Sequence, residues 1–153
     1  MAAYFFDSSA IVKRYVQETG TQWVSDIIDP LTGNEIYLAR ITGVEVVSAL
    51  VRRERDGTIS TQAVTIALAQ FHKDFTGEYQ LLNLSASVLT LAMSLAAAHA
   101  LRGYDAVQLA AALEVNRLCL ATGLSDFTLI SADVALNTAA MAEGLKVDDP
   151  NDH

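Results

Sequence analysis

Four acidic residues stand at positions where a carboxylate has chemistry to do. Asp7 closes the apolar run Tyr4-Phe5-Phe6 and is followed by Ser8 and Ser9, and Glu45 lies in Ile41-Thr42-Gly43-Val44-Glu45-Val46. Asp105 follows Arg102-Gly103-Tyr104, and Asp133 follows Ile130-Ser131-Ala132. Carboxylates brought into one crevice repel one another and are costly to take out of water, and a bound divalent cation resolves that conflict. The three histidines, His72, His99 and His153, have no metal-ligand spacing, so the set is all oxygen and indicates Mg²⁺ or Mn²⁺ rather than Zn²⁺. His99 reads as a hydrogen-bonded core residue. Singly, some of these acids have plainer uses. Asp105 with Gln108 three residues on matches a helix-capping pair, and Asp133 can cap a last helix. Asp7 is harder to dismiss, since an acid ending a hydrophobic first strand has little structural use. Glu45 on a mostly apolar helix needs a partner if buried, and Arg52 is one candidate.

The elements that must position these acids follow from the pattern, short apolar runs alternating with longer helical periods, which argues a parallel α/β sheet. Residues 3–6 read as a first strand, 35–39 as a second, 79–84 as a third, 127–131 as a fourth and 145–147 as a short last one. Between them, Ser8 or Ser9 opens a helix to about Glu18 and a short helix covers about 21–29. Thr42 starts one to Arg55, Ser60 another to about Phe75, Ser85 another to about Leu101, Asp105 another to about Ala121, and Asp133 a last one stopped by Gly144. In a parallel sheet the carboxyl ends of the strands face one crevice, where ligands bind. Asp7 and Asp133 follow strands, and Glu45 lies near the start of the helix after strand two, so both kinds of position look into that crevice. Asp126, just ahead of strand four, falls at the opposite end. The polar tail from Asp148 to His153, with 151–153 outside a single domain of 1–150, is expected to be mobile.

Composition narrows the partners. Ten basic against 18 acidic residues give a net charge of −8, which argues against a passive nucleic-acid binder but not against a metal-dependent enzyme, whose site needs acids. The basic residues cluster: Lys13-Arg14, then Arg40, Arg52, Arg53 and Arg55; for Arg53 and Arg55 a solvated helix face is the simpler reading. The single cysteine, Cys119, lies in an apolar stretch, cannot form an internal disulfide and suits a reducing cytoplasm. No basic region precedes the first strand as in a signal peptide, and the apolar run Val88–Leu101 is too short to span a bilayer.

The segments Phe5-Phe6-Asp7-Ser8-Ser9-Ala10-Ile11-Val12-Lys13, Ile41–Val46 around Glu45, Arg102-Gly103-Tyr104-Asp105-Ala106-Val107-Gln108-Leu109-Ala110 and Ile130-Ser131-Ala132-Asp133 together resemble the motifs of PIN-domain ribonucleases, in the VapC toxin-like branch. The resemblance runs from Tyr4 to about Pro150 in the family's order. It implies a three-layer α/β/α fold around a mostly parallel sheet of four to five strands, and Mg²⁺- or Mn²⁺-dependent cleavage of RNA. Carried over residue by residue, it makes Asp7, Glu45, Asp105 and Asp133 the acidic quartet, with Ser9 and Ser131 as small hydroxyl residues beside it. Gln108 stands where many relatives carry His.

On that reading the cation, held by Asp7, Asp105 and Asp133, serves water attack on a phosphodiester, leaving a 5′-phosphate and a 3′-hydroxyl. Glu45 either orients or deprotonates the water or serves a second ion. Lys13, Arg14, Arg40, Arg52 and Arg102 are candidates to hold the RNA backbone, and Tyr15 and Tyr104 to stack a base, although both tyrosines read more simply as packing residues. The resemblance also implies a homodimer and a small antitoxin partner, and no membrane. Two other classes compete. One is a PIN-like interaction module without activity. The other is an aspartyl-phosphate phosphohydrolase, which wants an Asp where Ser9 stands and a late lysine, of which Lys146 is the only one.

Overall fold

A computed structural model describes residues 1–153. The chain runs β1 (Ala3–Phe6), α1 (Ser8–Ile11), α2 (Thr21–Ile28), β2 (Glu35–Ala39), α3 (Thr42–Arg55), α4 (Thr61–Gly77), β3 (Gln80–Leu82), α5 (Ala86–His99), α6 (Gly103–Ala121), β4 (Phe127–Ile130), α7 (Val134–Ala142) and β5 (Val147–Asp148). The five strands form one sheet in the order β3-β2-β1-β4-β5, and every pairing is parallel. Period-two alternation assigns the strand residues to two cores. Ala3, Phe5, Ala39, Phe127 and Leu129 face α5, α6 and α7. Phe6, Ile36, Leu38 and Ile130 face α1 to α4. The strands are covered on both sides, which is why they read as apolar runs.

The order places β1 in the middle, with chain growth turning from the β2 side to the β4 side of it. Such a reversal opens a crevice at the carboxyl ends of the two strands that flank it, here β1 and β4. Ser60 and Ser85 cap α4 and α5 through their hydroxyls, as their positions ahead of apolar periods suggest.

Two expectations need correction. The helix after β1 does not run to Glu18. It stops at Ile11, tightens into a single 3-10 turn over Val12–Arg14, and the chain then turns at Gly20. Gly20 has φ +84, and a Cβ there would lie 2.2 Å from the Pro150 carbonyl oxygen, so only glycine fits. The tail is not loose either. Pro150 is buried, Pro150–Asp152 forms a 3-10 turn, the His153 ring stacks on Trp23 at 4.0 Å between centroids, and Asn151 accepts a hydrogen bond from Lys13. The sequence hides this clasp because its partners, at Lys13, Gly20 and Trp23, are more than a hundred residues away. No single helix is long and apolar enough to cross a membrane.

Candidate active site

The crevice is built on Asp7. Backbone N–H of Asp7 donates to the Ile130 carbonyl, which joins the residue to β4 as well as β1. Its side chain caps α1, with Oδ1 accepting from the Ala10 N–H at 3.0 Å and from the Ser9 hydroxyl at 2.7 Å. Asp7 therefore has the structural use that the sequence reading denied it. Oδ2 accepts from the Ser131 hydroxyl at 2.9 Å. Ser131 Oγ in turn accepts from the Asp133 N–H, and Ser9 Oγ accepts from the Ala132 N–H. Two serines thus stitch the ends of β1 and β4 around one carboxylate that is 3% exposed. Burial pushes Asp7 up to about 7, with the Asp133 charge adding to the rise and the Ser9, Ser131 and Ala10 hydrogen bonds opposing it.

Asp133 caps α7, accepting from the Leu136 N–H at 2.9 Å. Asn137, one turn on, donates to the Ser131 carbonyl at 2.8 Å and fixes the β4–α7 loop. Asp105 is not a cap. Arg102 holds that position without a side-chain bond, which leaves the Asp105 carboxyl in the first turn of α6, free of the helix's own N–H groups. Burial raises its pKa, as do the Asp133 and Glu45 charges, against the pull of Arg102. These couplings link Asp7 to Asp133, and Asp105 to both Asp133 and Glu45. They do not bring them into contact: no three His, Cys, Asp or Glu side chains stand together at metal-ligand spacing. The expectation of four groups converging within coordinating reach is corrected to that extent, and the cause is physical. Asp7 commits both its oxygens to the Ser9 and Ser131 hydroxyls and the Ala10 N–H.

The donor chemistry still fits a hard divalent cation. The set is carboxylate oxygen alone, and burial together with like charge raises the pKa of both Asp7 and Asp105, a cost that a cation would reverse.

Glu45 is held differently from expectation. Arg52 does not pair with it. Ser8 donates to Oε2 at 2.9 Å, and Gln108 donates from Nε2 to Oε1 at 2.8 Å and to the Thr42 hydroxyl oxygen at 2.9 Å. Gln108 is 2% exposed and its Oε1 has no partner. Reversing the amide would set that oxygen against the Glu45 carboxylate, so the orientation is fixed by charge. Ser8 and Thr42 are contacts of this site that sequence reasoning misses. Gln108 is singled out there only as a capping partner of Asp105 and as a departure within the resembling motif. Its place one turn after Asp105 on the same face of α6 is the signal for its contact with Glu45.

The proposed phosphate-binding cations divide. Arg52 and Arg102 are exposed near the acids, Arg52 lining a cavity with Glu45 and Arg102 acting on Asp105. Arg40, beyond the end of β2, donates to Asn83 at 2.6 Å and borders a groove between α3 and α4. Arg14 lines a separate pocket with Lys73, Asp74 and Glu78. Lys13 is 5% exposed, pairs with Glu18 at 3.3 Å and donates to the Thr19 carbonyl and to Asn151. It is an internal rivet and has no reach to a substrate. Lys13→Ala is expected to lower stability by about 2 kcal/mol or more, the lower range for hydrogen bonds made by a charge, and to leave the salt dependence of RNA binding unchanged. A variant that melts like the parent but binds RNA more weakly would return Lys13 to the substrate. His99 hydrogen-bonds, as expected, but to Glu143 near the surface and not in the core. Asp126 is exposed, pairs with Lys146, and stands at the amino end of β4, away from the crevice.

Two Mycobacterium tuberculosis proteins, Ribonuclease VapC45 and Ribonuclease VapC49, are each 35% identical to the chain over 150 residues, covering 96% of it and 95% of their own length. The chain belongs to the VapC ribonuclease family. No protein-family model matches it. Several solved structures share its fold. VapBC2 from Rickettsia felis, bound to a promoter DNA fragment, superposes with a TM-score of 0.65 at 12% identity, over 96% of this chain and 98% of that one. A toxin–antitoxin complex from Klebsiella pneumoniae gives 0.57 at 17%, over 96% and 97%. PAE2754 from Pyrobaculum aerophilum gives 0.65 at 17%, over 99% and 85%. The three-layer arrangement around a parallel sheet is thus the PIN-like fold of the VapC family, and the resemblance read from four short motifs holds over the whole chain.

Proposed function

We propose that this protein is the ribonuclease toxin of a toxin–antitoxin pair, hydrolysing RNA phosphodiester bonds with a divalent cation held by Asp7, Asp105 and Asp133. The observation that carries the reading is the buried Asp7, held by Ser9 and Ser131 at the junction of β1 and β4 and electrostatically coupled to a second acid, in a chain of the VapC family. Mg²⁺ or Mn²⁺ bound there supplies Lewis-acid neutralisation of phosphate charge. The protein's part is positioning. Ser8 and Gln108 aim Glu45 from either side. Glu45 takes the proton of the attacking water as the water oxygen bonds to phosphorus and the bond to the 3′-oxygen breaks. The 3′-oxygen takes a proton from solvent, which gives 5′-phosphate and 3′-hydroxyl ends. The phosphohydrolase alternative fails on geometry, because its required lysine, Lys146, pairs with Asp126 at the far end of β4.

The family reading brings two protein partners, an antitoxin and a second copy of the chain. An apolar groove of about 570 Å³ between α3 and α4, lined by Val47, Val51, Phe71 and Phe75, supports the first. It runs beside the helix that carries Glu45 and suits the apolar face of a short partner segment.

The test is incubation of purified protein with single-stranded RNA in Mg²⁺, Mn²⁺ or EDTA, with mapped product ends, alongside thermal melts. Cation-dependent cuts with 5′-phosphate ends are expected, and cation should stabilise the fold by mass action, by about 2.7 kcal/mol at a hundred times its dissociation constant, read as a higher melting temperature. Cuts that persist in EDTA, or that leave cyclic phosphates, would overturn the mechanism. Cation binding without cleavage would make the protein an interaction module.

A further inference from the structure

We propose that the cavity between α1, α3 and the start of α6 is a nucleotide subsite, receiving one unpaired base of single-stranded RNA next to the cut. The proposal rests on the nuclease reading and adds to it where the chain grips its substrate. The cavity, of about 470 Å³, is lined by Ser8, Val12, Ile41, Glu45, Arg52 and Tyr104, among others. That size lies in the range of sites that hold small ligands.

Three features fit a nucleotide. Tyr104 is 69% exposed and stands next to Asp105 at the cavity's edge. Every base has a π-face for such a ring, and stacking of this kind is the usual means of holding an unpaired base. Arg52 is exposed and makes no ion pair or side-chain hydrogen bond, although Glu45 lines the same cavity, where Ser8 and Gln108 hold the Glu45 carboxylate. A guanidinium left free beside an acidic centre in a chain of net charge −8 is a phosphate clamp in position. Between these two polar ends, Val12 and Ile41 offer an apolar wall for a base edge. Glu45 lies on the same wall, which sets the bound nucleotide against the reacting phosphate. Only a base free of its pairing partner can enter, so a duplex is a poor ligand.

The experiment measures binding of a short fluorescent single-stranded RNA to EDTA-treated protein, and in parallel maps cuts made by the cation-loaded protein. Tyr104→Ala should weaken binding by about 5- to 100-fold, the range for losing one base–aromatic stack, and change which nucleotide flanks the cut. Tyr104→Trp should restore both. Arg52→Gln should lower the slope of log affinity against log salt by about 0.7, the share of one phosphate contact on a single strand. Unchanged affinity and cut sites in Tyr104→Ala and Arg52→Gln would overturn the proposal. So would unchanged RNA binding with a weakened antitoxin complex, which would assign the cavity to the partner protein. A parent that binds single strands through Tyr104 and Arg52 but never cuts would support the subsite while ending the nuclease reading, so the two fail separately.

Discussion

Asp7→Asn is expected to cut cation-dependent RNA cleavage by more than about 100-fold, since losing even an outer partner of a metal ligand costs about 10- to 100-fold. The same change should make the cation-free protein more stable at pH 8. The sign follows from the raised pKa. Asp7 titrates at about 7 in the fold against 3.8 for an ordinary aspartate, so the fold holds the proton more tightly than the unfolded chain does. Stability is then full below 3.8 and is lost as pH rises through the folded value of about 7. An asparagine never ionises and avoids that loss, which is on the order of a few kcal/mol for a carboxylate this deeply buried. Its Oδ1 can keep the bonds from Ser9 and Ala10. Denaturant melts in EDTA at pH 5 and pH 8, beside a cleavage assay, measure both effects. A variant that cuts RNA like the parent, or that loses stability at pH 8, would remove Asp7 from the centre of the site.

The second large effect belongs to Gln108. Gln108→Leu keeps the volume but leaves Glu45 Oε1 and the buried Thr42 hydroxyl without their donor. Activity should fall by about 10- to 100-fold, in the manner of losing a group that orients a functional carboxylate. Binding of RNA in EDTA should stay within a factor of two or so of the parent, since Gln108 is buried away from the ligand surface. Gln108→Asn shortens the reach and should not rescue, whereas Gln108→His offers a ring N–H and should restore part of the rate. Equal cleavage by parent and Gln108→Leu would show that Glu45 needs no orientation from α6.

Much of this is readable from the chain. The strand cores follow from runs such as Phe5-Phe6 and Leu129-Ile130, and the caps of α4 and α5 from Ser60 and Ser85. The second strand and the helix carrying Glu45 have the bounds that their sequence suggests. The acids are legible because each sits at or near an element boundary on the side of the sheet where the strands end. Their partners are not. Ser8 and Gln108 reach Glu45 from 37 and 63 residues away, and no local period encodes such a meeting. Lys13 misleads for the same reason. Beside Arg14 it looks like a basic patch, but the 3-10 turn that ends α1 rotates it inward onto Glu18 and the tail. The helix itself looks longer than it is because residues 12–18 show no strong breaker before Gly20, and the tightening is imposed by packing under α2.

The pairing of β1 with β4 also governs when in synthesis the crevice can form. Asp7 meets Ser131 across 124 positions of chain, and β1 pairs with Phe127–Ile130 only after nearly everything else has been made. A nascent chain, or a prematurely terminated one ending before Phe127, has no second wall for its crevice, and Asp133 is missing altogether. Non-local pairings of this kind are the slow ones to form. An unfinished chain therefore has no complete acidic crevice, and the site is assembled only when the last strands and Asp133 are in place.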